Sequence, residues 1–279
     1  MVESEKTKEL KKIYEVDYSK YKHIKIEKKA NGVAVVTLNR PPHNFLNVKM
    51  HKELCDIPRD LRQDEDVRAV VLTAEGRNFC AGGDQELFEF NKEDPIAKHM
   101  NFEEARDTVW NWIELEKPAI AAVQGLVTGM GCQVVLLCDM VFAADDDKTR
   151  FSDGHMNIGV APGDGGVLIW PLRVGLTRAK QYLYTADPVS AREAERIGLI
   201  NGVVPPDQLL TTAMEWANRF AKGPILAIRW AKAALNQYLR FFAVTCFHYS
   251  WAFQTASRGL PDALEASAAL REKRPPKFY

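Results

Sequence analysis

The sequence feature that most constrains the fold is a glycine-rich loop that directly follows a short apolar run. Residues 69–73 read AVVLT, which predicts a buried strand, and residues 78–84 read NFCAGGD, after which residues 85–88 begin a helical pattern. Paired glycines let backbone N–H groups approach a ligand without a Cβ in the way, and a helix N-terminus adds partial positive charge. The loop is therefore suited to bind an oxyanion or a phosphate.

A second loop of this kind follows further along the chain. Residues 118–123 read PAIAAV, another buried strand, and residues 124–131 read QGLVTGMG before a helical segment. A Walker loop would need Gly-Lys-Ser/Thr, and Val134 stands where a dinucleotide fingerprint has its third glycine. Two such loops leave two interpretations open: structural turns, or two backbone N–H groups that converge on one carbonyl oxygen.

Strands and helices alternate along the first two thirds of the chain, which predicts an α/β fold with parallel strands. The predicted strands are residues 33–38, 69–73, 119–123, 140–144 and 199–204. The predicted helices are residues 49–62, 102–115, 131–137 and 179–184. We expect Pro58 to kink or end the first of them. After Pro206 the pattern is helical only, over residues 209–222, 224–243, 245–258 and 261–271.

Composition and charge narrow the function classes. The chain has 279 residues, 46% hydrophobic and 27% charged, as expected of a globular protein with one sizeable core. Its formal net charge is zero, so we expect neither nucleic acid nor a membrane surface as a partner. Its five cysteines give no disulfide framework or paired metal site, and no apolar run reaches the roughly 20 residues of a spanning helix. We expect a cytoplasmic protein.

The motifs together resemble the enoyl-CoA hydratase/isomerase family, also called the crotonase superfamily. The matching segments, in family order and spacing, are NRP at 39–41, FCAGGD at 79–84, KPAIAAVQG at 117–125, CDM at 138–140, GVAPGDGG at 159–166, AREAERIGLIN at 191–201 and EKRPPKF at 272–278. The resemblance implies a crotonase-like α/β spiral of ββα repeats with a C-terminal α-helical region. Residues 1–17 would be an N-terminal arm, 18–206 the spiral core, and 207–279 a helical region that assembles homotrimers or homohexamers.

The resemblance also implies an oxyanion hole. The two backbone donors would be the N–H groups of Gly83 and Met130, which in this family bind an acyl thioester carbonyl and stabilise the enolate formed from it. Met130 replaces a glycine that is usual there, and its side chain adds bulk beside the acyl group.

The chain departs from the family's hydratases at both catalytic glutamates. Those enzymes place one glutamate just after the second glycine loop and another four residues before the glycine of Gly-x-x-Pro-Gly, and here these positions hold Gln133 and His155. A glutamine cannot exchange a proton near neutral pH. Ordinary enoyl-CoA hydration is therefore not expected.

The remaining candidates for proton transfer are His155 and Asp164, which locally resemble the 6-oxocamphor hydrolase-like β-diketone hydrolases. Those enzymes carry a histidine nine residues before the aspartate of Pro-Gly-Asp-Gly, as His155 precedes Asp164 here. A tryptophan–proline pair follows in them, and in this chain it is at residues 170–171. His51 also falls where they have a histidine. Two departures limit the likeness: Met130 replaces a histidine, and Trp251 stands where they have a glutamate.

Binding of coenzyme A is a further implication of the resemblance. Arg77 and Ala81 match positions of the first loop that contact CoA, and Lys273 and Lys277 match a basic tail that reaches its nucleotide end from a neighbouring helix. CoA would be part of the substrate; no other cofactor and no metal is expected.

Three functions are consistent with these residues. The first is isomerisation, or hydrolytic carbon–carbon cleavage, of an acyl-CoA through an enolate. The second is the same retro-Claisen cleavage of a free cyclic β-diketone without CoA. The third is a non-catalytic crotonase fold that serves as a binding protein.

Overall fold

The strands form two sheets in a computed structural model that describes residues 4–84, 86–87 and 94–279. The strands are β1 (Ile24–Lys28), β2 (Val33–Leu38), β3 (Ala69–Ala74), β4 (Ala119–Val123), β5 (Leu126–Thr128), β6 (Met140–Ala144), β7 (Arg150–Ser152), β8 (Val189–Ser190) and β9 (Gly202–Val204). The larger sheet has the order β1-β2-β3-β4-β6-β9 and is parallel except for β1, which pairs with β2 antiparallel. In the smaller sheet, β5 and β7 are parallel and β7 and β8 antiparallel.

The helices surround the sheets. They are α1 (Glu5–Ile13), α2 (Val48–Gln63), α3 (Pro95–Ile113), α4 (Met130–Leu137), α5 (Gly166–Val174), α6 (Leu176–Thr185), α7 (Ala191–Arg196), α8 (Leu209–Lys222), α9 (Ile225–Phe242), α10 (His248–Ser257) and α11 (Pro261–Glu272). Among the described residues, no helix is both long enough and apolar enough to cross a bilayer.

The predicted α/β class and the helical C-terminal region are confirmed. Several boundaries differ: the helices predicted over 102–115 and 179–184 are Pro95–Ile113 and Leu176–Thr185, and two further differences concern the last strand and the C-terminal helices. The last strand begins at Gly202, because the chain turns between Leu199 and Asn201, and the expected break near residue 244 is a π-helical segment, Ala243–Phe247, that joins α9 to α10. Of the helix predicted to start at residues 85–88, Glu86 and Leu87 are helical; residues 85 and 88 lie outside the described ranges.

Of the two outcomes expected at Pro58, a kink or an end of the helix, the end is wrong. Helix α2 continues through Pro58, which has no N–H to donate to the carbonyl of Leu54 one turn earlier. The indole Nε1 of Trp112, on α3, donates to that carbonyl instead, at 3.1 Å. The neighbouring helix thus supplies the hydrogen bond that proline removes, and the helix survives.

Both faces of the large sheet are buried, as is usual for parallel strands. One face is covered by α8, whose buried alanines (Ala213, Ala217 and Ala221) allow close approach to the sheet. The other face packs against helices that include α2, α3, α4 and α5, around a larger core that contains Trp112 and Trp170. The sheet is therefore a rigid support for the loops that follow its strands.

We predict that Trp112→Phe lowers the free energy of unfolding by about 1–3 kcal/mol, because the buried carbonyl of Leu54 loses its donor. In a Pro58→Ala background the restored N–H can bond that carbonyl, so the same substitution should cost less. Urea unfolding of the two single variants and the double variant measures the coupling. Equal costs of Trp112→Phe in both backgrounds would contradict this account.

Candidate active site

A parallel bridge between Cys80 and Val127 brings the two glycine loops together. Cys80 N–H donates to the Leu126 carbonyl, and Thr128 N–H donates to the Cys80 carbonyl, both at 2.9 Å. The two predicted oxyanion donors, Gly83 and Met130, each stand three positions beyond a bridge partner, and both line the same cavity.

The N–H groups of Gly83 and Met130 remain available for a ligand. Leu46 holds the first loop from its other side, because its N–H donates to the Gly82 carbonyl and its own carbonyl accepts from Asp84 N–H, both at 2.9 Å. Neither the Gly83 nor the Met130 N–H donates to another described residue. Both residues line one cavity of about 310 Å³.

Two glycines of the second loop are required by its geometry. Gly129 has φ +58°, a conformation that L side chains rarely adopt. A Cβ on Gly131 would lie 2.5 Å from the Cβ of Cys80, so the glycine permits the contact between the loops. The Met130 side chain between them is buried at the cavity wall.

A buried group of three charges lies at the cavity. His155 begins a short 3-10 turn after β7, and its ring lies between two aspartates: Nδ1 is 2.5 Å from Oδ1 of Asp153, and Nε2 is 3.5 Å from Oδ2 of Asp164. The other oxygen of Asp164, Oδ1, is buried and has no hydrogen-bond partner among the described residues. His155 and Asp164 both line the cavity, as the sequence predicts for catalytic residues.

The charges of this group set its protonation. Burial is the largest influence on the pKa of His155 and lowers it, but Asp164 and Asp153 together raise it to about 9. Burial raises the pKa of Asp164 to about 6, with Asp153 adding to the rise and His155 opposing it. Near neutral pH the pair is therefore an imidazolium and a carboxylate. Asp164 is the group that can accept a proton, and His155 the group that can donate one.

Gln133 supports Asp153 and does not line the cavity. Its Nε2 donates to Oδ2 of Asp153 at 2.9 Å, and both side chains are buried. A Cβ on Gly166 would lie 2.2 Å from that same oxygen, so the first residue of α5 must be small. Gln133, at the position where the hydratases have their first catalytic glutamate, thus donates a hydrogen bond that holds Asp153 in place.

His51, the third predicted catalytic residue, also reaches the cavity. It lies on α2, is 5% exposed, and its Nδ1 is 2.5 Å from Oε1 of Glu104 on α3. Its Nε2 makes no hydrogen bond with another described residue, so it can contact a substrate. The two helices are therefore joined by this pair, of which His51 lines the same cavity as Asp164.

The predicted CoA contacts divide into two groups. Ala81 lines the cavity beside the oxyanion donors. Arg77, Lys273 and Lys277 are exposed and do not line it. Their contact with CoA stays a prediction.

Sequence reasoning missed Asp153 and Glu104, which orient the two histidines. Asp153 stands two residues before His155, and that Asp-Gly-His spacing was a usable signal, since an aspartate commonly accepts the N–H two residues on; here that bond is 3.2 Å. No local signal indicated Glu104, because it is 53 residues from His51.

Asp153, His155 and Asp164 also form a group that could hold a metal ion, with one ligand atom of each within 4.8 Å of the others. However, each carboxylate approaches a different imidazole nitrogen. The ring lies between the acids and does not share a common centre with them. The geometry fits a hydrogen-bonded charge group better than a metal site.

The model of the enoyl-CoA hydratase/isomerase family matches residues 28–279. The chain belongs to this family. Its crotonase-superfamily membership is consistent with the paired glycine loops, which are joined by the bridge between Cys80 and Val127 and line one cavity.

Relatives of this enzyme include hydratases and a β-diketone hydrolase. It is 36% identical over 257 residues to a short-chain-enoyl-CoA hydratase of Clostridium acetobutylicum, covering 89% of this chain and 95% of the relative. A solved enoyl-CoA hydratase/isomerase from Mycobacterium paratuberculosis aligns with a TM-score of 0.83 and 29% identity, covering 89% and 98% of the two chains. A β-diketone hydrolase from the cyanobacterium Anabaena, bound to (S)-3-oxocyclohexyl acetic acid, aligns with a TM-score of 0.79 and 28% identity, covering 86% and 95%.

We predict that His155 stays protonated through neutral pH and that Asp164→Asn lowers its pKa, because one of the two carboxylates that raise it is removed. NMR titration of the imidazole measures both values. The raised pKa also stabilises the fold: this contribution is complete below about 6.5, the unfolded value, and is lost as pH rises through about 9. An unperturbed His155 pKa in the native enzyme would contradict the geometry.

Proposed function

We propose that this crotonase-superfamily enzyme hydrolyses a carbon–carbon bond of a β-dicarbonyl substrate. The observation that carries the proposal is the Asp164 carboxylate at the cavity, backed by the His155 imidazolium, in a site whose two family glutamate positions hold Gln133 and His155. A carboxylate with a pKa raised to about 6 is mostly ionised at neutral pH yet basic enough to take a proton from water.

The reaction follows from these positions. Asp164 accepts a proton from water, and the hydroxide oxygen bonds to one carbonyl carbon. The bond between that carbon and the α-carbon then breaks, and its electron pair forms an enolate whose oxygen accepts from the Gly83 and Met130 N–H groups. Protonated Asp164 returns its proton to the α-carbon. The products are a carboxylic acid and a ketone or thioester, and His155 stays charged throughout.

Two substrate forms fit this scheme. An acyl-CoA is supported by the names of the curated relatives, which include a crotonyl-CoA hydratase of Syntrophomonas wolfei at 35% identity over 266 residues. A free cyclic β-diketone is supported by the Anabaena hydrolase.

Isomerisation of an acyl-CoA is the second candidate reaction, since Asp164 could move a proton along the same enolate. A non-catalytic role is less consistent with a costly buried charge group that opens on a cavity.

We predict that cleavage is bell-shaped in pH, with kcat/KM rising as Asp164 ionises near pH 6 and falling as His155 loses its proton near pH 9. Asp164→Asn should lower kcat by roughly 10²–10⁴. The assay follows acetoacetyl-CoA, cyclohexane-1,3-dione and crotonyl-CoA as substrates.

The matched control is Asp207→Asn, an exposed aspartate in the turn before α8. Fast hydration of crotonyl-CoA, or full cleavage activity of Asp164→Asn, would overturn the proposal. Calorimetry with CoA separates the substrate forms, because only the acyl-CoA form requires CoA to bind.

We further propose that the C-terminal helices assemble homotrimers or homohexamers. Large apolar side chains are exposed on α9 and α10 (Trp230 70%, Leu235 66%, Tyr238 69%, Tyr249 67%), a surface that another copy can cover. Light scattering should give three or six times the chain mass of 31.5 kDa. Trp230→Lys should reduce the assembly, whereas Tyr184→Lys, at an exposed tyrosine on α6, should not. A monomeric wild type would contradict this.

A further inference from the structure

A row of polar side chains on α10 faces the cavity and is not explained by the proposed reaction. Trp251, Gln254 and Arg258 all line the cavity. Their spacing of three and then four residues places them on one side of the helix, over two successive turns. We call these three residues the α10 row.

The buried members of the α10 row lack partners. Trp251 is 3% exposed and Gln254 2%, and neither the indole Nε1 nor the amide Oε1 has a hydrogen-bond partner among the described residues. An unpaired buried polar group is energetically unfavourable, because it has lost its hydrogen bonds to water and gained none in the protein. Together with Oδ1 of Asp164, three such atoms belong to residues that line one cavity, which indicates that a polar ligand pairs with them.

Arg258, the residue directly after α10, ends the row. It is exposed, lines the cavity, and forms no ion pair with a described residue, although desolvation lowers its pKa and the Asp164 carboxylate, acting at longer range, opposes that lowering. Two arginines elsewhere in the C-terminal region do form ion pairs: Arg240 with Glu114, and Arg274 with Glu265. A guanidinium without an ion pair at a cavity wall suits a carboxylate, which it can bind through two parallel hydrogen bonds.

The row begins beside the reacting carboxylate. A Cβ on Gly163 would lie 2.4 Å from the Ser250 carbonyl oxygen and 2.7 Å from the Cβ of Gln254. Helix α10 is therefore pressed against the loop that carries Asp164. A substrate held at the N–H pair and at Asp164 would extend along the row.

We propose that the α10 row is a recognition subsite for an oxo acid, so that the part of the substrate beyond the reacting carbonyls ends in a carboxylate. Trp251 Nε1 donates to an oxygen atom within that part, Gln254 Oε1 accepts from a donor there such as a hydroxyl group, and Arg258 pairs with the terminal carboxylate. This names the substrate class of the proposed reaction and rests on it for the placement of the reacting carbonyls.

Binding tests the subsite without turnover. The probes are straight-chain oxo acids, from 4-oxopentanoate to 7-oxooctanoate, and their methyl esters: the ketone fits the N–H pair, and the acid differs from the ester in charge. We expect at least one acid to bind tenfold or more tighter than its ester by calorimetry, and Arg258→Gln to remove that difference. Trp251→Phe should weaken binding of that acid several-fold.

The matched control is Trp170→Phe, because Trp170 Nε1 is also buried and unpartnered but lies outside the cavity lining. Equal affinity for acids and esters, no binding of any acid at millimolar concentration, or equal effects of the two tryptophan variants would overturn the subsite. The subsite would also be overturned if Arg258→Gln lost CoA binding but kept the preference for the acid over its ester. If acids are preferred but no carbon–carbon bond is cleaved, the subsite stands and the proposed reaction falls.

Discussion

Two backbone hydrogen bonds of Cys80, to Leu126 and from Thr128, fix the register on which the whole site depends. They align two loops that follow different strands, so that Gly83 and Met130 line the same cavity. Because the proposed donors are backbone groups, the side chain at position 130 is free to vary, whereas Gly131 is fixed by contact with Cys80. We therefore attribute the proposed enolate site to the fold, and the proposed reaction to the side chains around that site.

The side chains at the two glutamate positions form one connected arrangement. Gln133 donates to Asp153, and Asp153 holds His155 against Asp164. A glutamate at position 133 would bring a second carboxylate against buried Asp153, which is unfavourable without a cation or proton between them. The residues at positions 133, 153 and 155 therefore depend on one another: Gln133 suits Asp153, and Asp153 suits His155. The replacement of the two glutamates by Gln133 and His155 is thus one connected difference in the chemistry of the site.

The parts predictable from sequence are those with local signals. The strands at 69–74 and 119–123, both glycine loops, His155 and Asp164 follow from apolar runs, glycine spacing and resemblance. Contacts between distant segments were not predictable: Trp112 rescues the helix at Pro58, and Glu104 orients His51. The orientation of α10 was also hidden, because the π-helical segment Ala243–Phe247 changes the helical phase and hence which residues face the cavity.

The unpaired oxygen of Asp164 links the energetics of the site to its chemistry. A carboxylate that accepts hydrogen bonds on both oxygens has a lowered pKa and is a weak base. Asp164 has His155 near one oxygen only, and burial raises its pKa to about 6. The other oxygen keeps its lone pairs for water or substrate, next to an imidazolium that limits the cost of burying the charge. In the proposed reaction, the local instability of this unsatisfied group is the condition for its reactivity, and bound substrate or water would remove that instability.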